Sequence, residues 1–264
     1  MIASLRALAC YEDDPAIQGG DTLAELFLPE DKRQPLHNPE FHSRIKGMIP
    51  EGLYEYVIAR TKYFDELFRQ CLNDGFTQIV LLGAGFESRA CRFAVIYEVD
   101  TPATQQEKHR ILLDNGMTIP ANTRYVPADF ERDDLFEKLV DAGYAEDVAT
   151  LFIWEGVTFY LSPKAVGGML EAISSHAASG SLLGFDFQHT DHEQELIDTQ
   201  LKDEQIKFGL DAEKCTDYLK RFGISLREKL DALMMENRYL TTSAGIRFGS
   251  IKSIMHIAMA ELHR

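Results

Sequence analysis

Positive charge is scarce in this chain. Across 264 residues Lys and Arg number 27 against 42 Asp and Glu, which gives a formal net charge of −15 and a pI near 4.9. A nucleic-acid binder needs a basic face that displaces counterions from phosphates, so this balance argues against a nucleic-acid partner. Long hydrophobic runs are missing too: no stretch approaches the roughly 18 apolar residues of a membrane span, and no membrane partner is expected. The opening Met1 to Cys10 is apolar, but Arg6 interrupts it and Glu12-Asp13-Asp14 follows, so it does not read as a secretory signal. Cysteine is sparse and scattered. Cys10, Cys71, Cys91 and Cys215 form no CxxC pair, which argues against a disulfide framework or a zinc site and predicts reduced thiols in a cytoplasmic protein. Neither a GxSxG elbow nor a GxxxxGK[ST] phosphate loop occurs.

What is present is ordinary globular material: 45% hydrophobic and 26% charged residues exclude a disordered or fibrous chain. No repeat, low-complexity tract or long linker divides it, so one domain over 1–264 is expected. Residues 1–52 carry five of the nine prolines and read as an irregular extension or lid. The spacing then predicts a helix over 53–72, where Leu53, Val57, Phe64, Leu67, Phe68 and Cys71 recur at helical steps and Asn73-Asp74-Gly75 stops them. The period changes at 77–82, a short β-rich apolar run ending in glycine, as in a parallel strand covered on both faces. Further strand-like runs at 95–99, 124–128, 150–154 and 182–187 alternate with helical stretches near 102–114, 132–142 and 163–178. In the last of these Ser162 can cap, Pro163 suits the first turn and Gly180 closes. Helical patterns at 192–208 and 211–222 precede two strands, 225–230 and 252–259. Strands alternating with helices imply βαβ units, a parallel sheet and a three-layer α/β domain.

Chemistry collects at the strand ends. Gly83-Ala84-Gly85 follows the first strand, where glycines let backbone approach a ligand at the carboxyl edge of a sheet. A dinucleotide site wants a third Gly or Ala where Ser88 stands, and only 86–93 separate Gly85 from the next strand, which disfavours NAD. Asp100 ends the second strand, seventeen residues after Gly83, and suits two ribose hydroxyls or a helix start at Thr101-Pro102. Asp129 ends the third strand beside Phe130, an acceptor and a flat apolar ring that suit an adenine or, equally, a turn. Glu155 emerges from the core run Leu151-Phe152-Ile153-Trp154, a costly place for an unpaired carboxylate. Arg60 borders the apolar face of its helix and needs an anion, either an acid of this acidic chain or a ligand carboxylate held by two parallel bonds. Tyr160 is a candidate substrate contact or a structural lid. His189-Thr190-Asp191-His192 reads as a solvated loop, Asp186 as structural and Cys91 as core packing.

The strings Arg60-Thr61-Lys62-Tyr63-Phe64-Asp65, Leu82 to Arg89, Tyr97-Glu98-Val99-Asp100, Val126-Pro127-Ala128-Asp129 and Glu155 to Leu161 resemble the leucine carboxyl methyltransferase family. They are also similar to its bacterial branch, the polyketide-type O-methyltransferases. The likeness runs from about Asp21 to Phe187, with five motifs in order. It implies the class I methyltransferase fold, a Rossmann-like sheet of seven strands that is mostly parallel with one antiparallel strand. It also implies S-adenosyl-L-methionine as cofactor. Carried over residue by residue, it puts Arg60 on the methionine carboxylate, Gly83, Ala84 and Gly85 under the methionine and ribose, and Asp100 on the ribose. Asp129 and Phe130 fall at the adenine, and Glu155 near the methionine ammonium. Glu87 stands where the family usually has Asp, which keeps the charge and alters the loop.

The function expected is S-adenosylmethionine-dependent O-methylation of a small molecule. The substrate oxygen attacks the sulfonium methyl in line, a step that needs alignment and desolvation more than covalent catalysis. A carboxylate is already ionised at neutral pH, whereas an alcohol or phenol needs a base. No convincing base follows the fourth or fifth strand, where Tyr160, Asp186 and His189 are the options, so carboxyl methylation is favoured. Hydroxyl methylation of a polyketide-like substrate is the alternative. A nicotinamide-dependent dehydrogenase and a non-catalytic cofactor-binding protein stand further off.

Overall fold

The computed structural model describes residues 1–92, 96–190 and 206–263. Seven strands form one sheet: β1 Gln78–Leu82, β2 Ile96–Asp100, β3 Thr123–Pro127, β4 Thr150–Trp154, β5 Leu182–Gln188, β6 Ile224–Leu230 and β7 Met255–Leu262, in the order β3-β2-β1-β4-β5-β7-β6. Strands β1 to β5 pair in parallel, and β7 runs antiparallel to both β5 and β6. The class I arrangement expected from the resemblance is the one observed. Every residue of β1 and of β4 is buried, because helices cover both faces, and that is why these strands read as unbroken apolar runs.

The helices are α1 Ile2–Ala9, α2 Glu30–Arg33, α3 Pro39–Lys46, α4 Leu53–Asn73, α5 Arg89–Arg92, α6 Pro102–Asp114, α7 Leu135–Asp141, α8 Pro163–His176, α9 Cys215–Lys220 and α10 Ala232–Tyr239. One core, with Ile79, Leu81, Leu151 and Ile153 from the sheet, lies under α1, α4 and α10. The other, with Val80, Leu82, Phe152 and Trp154, lies under α7, α8 and α9. The period-two alternation of β1 and β4 thus deals side chains to two layers. Gly184 of β5 lets α4 come close: a Cβ there would sit 2.7 Å from Leu67 Cδ2. The cap of α8 is as expected, with Ser162 Oγ accepting from Ala165 N–H at 3.1 Å. Among the described residues no helix is long and apolar enough to cross a membrane.

Three expectations are corrected. Residues 1–52 are not irregular: α1, α2 and α3 lie there, and α1 buries Leu5, Ala7, Leu8 and Ala9 without a side-chain cap, so tertiary packing sustains it. The stretch 211–222 shortens to a 3-10 turn plus α9, and β7 begins three residues later than 252–259 suggests. Helix α10 was not expected. Asp231 caps it through Met234 N–H at 2.8 Å, and Met235, Glu236 and Tyr239 are its buried residues. Most of the 192–208 pattern lies outside the described residues, and 206–208 are not helical.

Candidate active site

The strand order reverses between β1 and β4, the place where an open α/β sheet leaves a crevice beyond its carboxyl ends. A cavity of about 570 Å³ occupies it. Its floor is Leu81 to Glu87, from the end of β1 into the turn that follows, with Ile153, Glu155, Gly156 and Val157 around the end of β4. Arg60 of α4, Arg89 of α5 and the pair Phe159 and Tyr160 line it, and Met1 to Ser4, Arg6, Phe27 to Pro29 and Lys32 close it from the N-terminal segment. That segment is a wall of the cavity.

The glycine turn is pinned on both sides. Gly83 and Ala84 N–H both donate to Val99 O, at 2.8 and 3.0 Å, and Gly85 N–H donates to Asp100 Oδ2 at 2.6 Å. Gly83 has φ +73°, and a Cβ on it would lie 2.4 Å from Val157 Cγ2. Backbone and packing both require glycine here. We expect Gly83→Ala to destabilise the fold by about 1–3 kcal/mol, through the left-handed backbone and the overpacking together. Urea denaturation checks this. Adding Val157→Ala should recover only the steric part, so full recovery or no initial loss would contradict the account.

Arg60 is buried at 4% exposure and already holds two acids: Nε lies 2.9 Å from Glu155 Oε1 and Nη1 3.2 Å from Asp186 Oδ2. Asp186, on β5, is fully buried and also accepts from Tyr56 Oη at 2.7 Å and from Gly156 N–H at 2.6 Å. Burial pushes its carboxyl up, and those same donors pull it back. Burial and the Asp186 charge keep Tyr56 protonated, hence a donor. The other Glu155 oxygen accepts from Arg89 Nη1 at 2.7 Å. Arg89, 1% exposed, also reaches Glu87 at 2.6 Å and Asp65 at 2.7 Å. Burial alone would raise Glu87 and Asp65, but the surrounding arginines hold both below the usual carboxylate range. Arg6 ties α1 into the same lattice through Asp21 at 3.2 Å, Glu87 at 3.4 Å and the carbonyl of Phe86 at 2.7 Å.

The structure brings Arg60, Gly83, Ala84, Gly85, Glu155 and Tyr160 together around one cavity. Asp100 does not line the cavity; it holds the glycine turn, each oxygen accepting one backbone N–H, from Gly85 and from Thr101 at 2.7 Å. The cap of α6 is Thr101, whose Oγ1 accepts from Thr104 N–H. Asp129 and Phe130 do not line the cavity. Asp129 is 45% exposed and closes a turn, accepting from Glu131 N–H at 3.0 Å. His189 does not line the cavity either, and its Nδ1 accepts from Ala212 N–H at 3.0 Å. Asp191 and His192 lie outside the described residues. Cys91 is half-buried on α5. Sequence reasoning missed Arg6, Lys32, Arg89, Asp65 and Tyr56, and left Asp186 as structural; a charge inside the apolar run 182–187 was the signal available for Asp186.

Residues 1–174 match the sequence model of the leucine carboxyl methyltransferase family. A Mycobacteroides abscessus protein is 30% identical over 201 residues, 71% of this chain and 64% of that one. A Mycolicibacterium smegmatis protein is 34% identical over 203 residues, 72% and 65% respectively. Both are provisionally named S-adenosyl-L-methionine-dependent methyltransferases, and the matched chain spans just under two thirds of their length. Among solved structures, one from Thermobifida fusca, provisionally named a methyltransferase, superposes with TM-score 0.59 at 16% identity, over 100% of this chain and 95% of its own. The [4+2]-cyclase SpnF superposes with TM-score 0.54 at 12% identity, over 81% and 85%. At such identities the likeness shows the fold alone, and a cyclase on it warns against reading the reaction from the fold.

Proposed function

The chain belongs to the leucine carboxyl methyltransferase family, and from that premise we propose that it transfers the methyl group of S-adenosylmethionine to a carboxylate oxygen of a small molecule. The observation that carries the acceptor is the state of the acids in the cavity. Among the described residues Glu87 and Glu155 are the carboxylates that line it, both are clamped by buried arginines, and no histidine lines it. Among those residues a substrate that must lose a proton finds no free base, whereas a carboxylate needs none. On this reading Arg60 presents the rest of its guanidinium to the methionine carboxylate, and Glu155 faces the ammonium. The turn Gly83-Ala84-Gly85 runs under the methionine and ribose. Asp100 uses its remaining lone pairs on the ribose. Asp100 and Pro127 are register partners, so an adenosine following the strand tips outward passes from Asp100 towards Asp129 and Phe130. Tyr160 meets the substrate.

The reaction joins a negative oxygen to a positive sulfonium and leaves a neutral ester and thioether. Charge disappears in the transition state, so an apolar, water-poor cavity favours it and hydration of the carboxylate opposes it. A nicotinamide cofactor fits less well, since Ser88 replaces the third glycine and only residues 86–95 separate Gly85 from β2, little room for a pyrophosphate-binding helix.

S-adenosylhomocysteine at about 100 times its Kd should add about 2.7 kcal/mol and raise Tm by roughly 5–10 °C, whereas NAD and NADP should leave it unmoved. A shift with NAD alone would sink the methyltransferase reading. Once a substrate is in hand, the product should release methanol in mild alkali, and the rate should be nearly flat above about pH 6. An alkali-stable product would replace the carboxyl acceptor with a hydroxyl.

A further inference from the structure

Among the described residues four Lys and Arg side chains line the cavity, and three of them are committed: Arg6 to Asp21 and Glu87, Arg60 to Glu155 and Asp186, Arg89 to Asp65, Glu87 and Glu155. The fourth is Lys32. It lies in the short exposed helix α2, and among the described residues its ammonium has no hydrogen-bond or ion-pair partner. Glu30 and Asp31 on the same turn do not line the cavity. We propose that Lys32 is the specificity residue that reads the substrate's carboxylate, and that this carboxylate stands on an apolar body. This rests on the methyl-transfer reading above.

Charge balance gives the argument its direction. The buried lattice sets four arginines, Arg6, Arg60, Arg89 and Arg92, against five carboxylates, Asp21, Asp65, Glu87, Glu155 and Asp186. Each of these arginines is therefore met by acids within the lattice, and S-adenosylmethionine brings its own carboxylate, ammonium and sulfonium. Lys32 is left over. A substrate carboxylate meets its charge, whereas a neutral substrate leaves Lys32 unmatched. The rest of the wall supplies the apolar body's contacts: Ile2 from α1, Phe27 and Leu28 just before α2, and Phe86 from the glycine turn, whose ring lies 5.5 Å from that of Phe27.

Exposure of this lysine suits the chemistry. In the step itself an O–C bond forms between carboxylate and methyl, the S–C bond breaks, its electron pair stays on sulfur, and no proton moves. A buried cation fixed to the nucleophile would hold the ground state below a transition state in which that charge is fading. A hydrated lysine at the rim recruits the anion and holds it loosely. Its effect therefore falls on KM more than on kcat.

The test uses the full chain, methyl-labelled S-adenosylmethionine and octanoate, phenylacetate and benzoate as probes, with octanol as the neutral control. Lys32→Met should raise KM for the methylated carboxylates about 3- to 10-fold, the span between an exposed and a well-formed charged contact, and 0.5 M salt should shrink that difference. Lys32→Arg should restore most of it, and Lys32→Glu should exceed it. The stabilisation by S-adenosylhomocysteine should be the same in all variants. An unchanged KM in Lys32→Met overturns the proposal, and so does a lost S-adenosylhomocysteine shift, which would move Lys32 to the cofactor's carboxylate. No transfer to any of the three acids by a wild-type chain that S-adenosylhomocysteine stabilises rejects the substrate class and leaves the cofactor reading standing. No stabilisation at all rejects the reading beneath it.

Discussion

Replacing Arg89 by Met is expected to lower the stability of the fold by about 3–5 kcal/mol, the range for removing one side of a buried charge cluster. Arg89 is 1% exposed, and its guanidinium reaches Asp65, Glu87 and Glu155 at 2.7, 2.6 and 2.7 Å. Methionine fills similar space but leaves three carboxylates in a dry region with one cation fewer, and each must then stay charged at a cost or take up a proton. The sign of the pH dependence makes the account specific. In the wild type Asp65 and Glu87 are held below their unfolded values, so their contribution is full above roughly pH 4–5 and fades as acid reaches their lowered folded values. In Arg89→Met those carboxyls rise above their unfolded values. Their contribution is then present at low pH and lost as pH rises through the raised values. Urea denaturation at pH 7 and at pH 5 should show the variant's deficit to be smaller at pH 5. Arg89→Lys, which keeps the charge but not the planar fork, should fall between the two. Equal stability of Arg89→Met and wild type at pH 7 would mean that the lattice contributes nothing to the fold.

How far all this was legible in one dimension depended on whether a signal was local. Strands β1 and β4 announce themselves because burial on both faces leaves a continuous apolar run, and α8 because Ser162 and Pro163 write its start into four residues. Helix α1 has no such punctuation: its burial comes from packing on α4, so an apolar decapeptide with one arginine was read as irregular. In α10 the exposed Leu233 and Met234 sit beside the buried Met235 and Glu236, which blurs the amphipathic pattern. At the site the same division holds. Gly83, Gly85 and Glu155 follow strands directly, and the topology alone delivers their backbone to the crevice. Asp186 and Arg60 are 126 positions apart, and nothing short of the sheet order places them 3.2 Å from one another. Lys32 is harder still, since an exposed lysine among Glu30, Asp31 and Arg33 looks like any solvated turn.

Arg60→Ala should fail in two ways that the other variants separate. As a structural group, Arg60 neutralises Glu155 and Asp186, so its loss should cost the fold about 3–5 kcal/mol. As a proposed ligand, it should cost S-adenosylhomocysteine binding about 1.5–3 kcal/mol, the range for a hydrogen bond to a charged group. Arg60→Lys keeps a cation between the two acids and should recover much of the stability. It should recover little of the affinity, because one ammonium cannot face two carboxylates and a ligand carboxylate together. Asp186→Asn tests the support behind it. Gly156 N–H points at one oxygen while Tyr56 Oη and Arg60 Nη1 share the other, and an amide offers one oxygen where the carboxylate offers two. Whichever way the Asn turns, at least one donor loses its acceptor, for about 1–3 kcal/mol of stability. Because Gly156 and Arg60 both border the cavity, the loss should also appear as weaker S-adenosylhomocysteine binding in calorimetry. The decisive comparison is between the two readouts. If Arg60→Lys and Asp186→Asn lose stability yet bind S-adenosylhomocysteine as the wild type does, Arg60 is a structural ion pair and the methionine carboxylate is held elsewhere. If affinity falls further than stability in both, Asp186 and Tyr56 are the positioning groups that aim Arg60 at the cofactor.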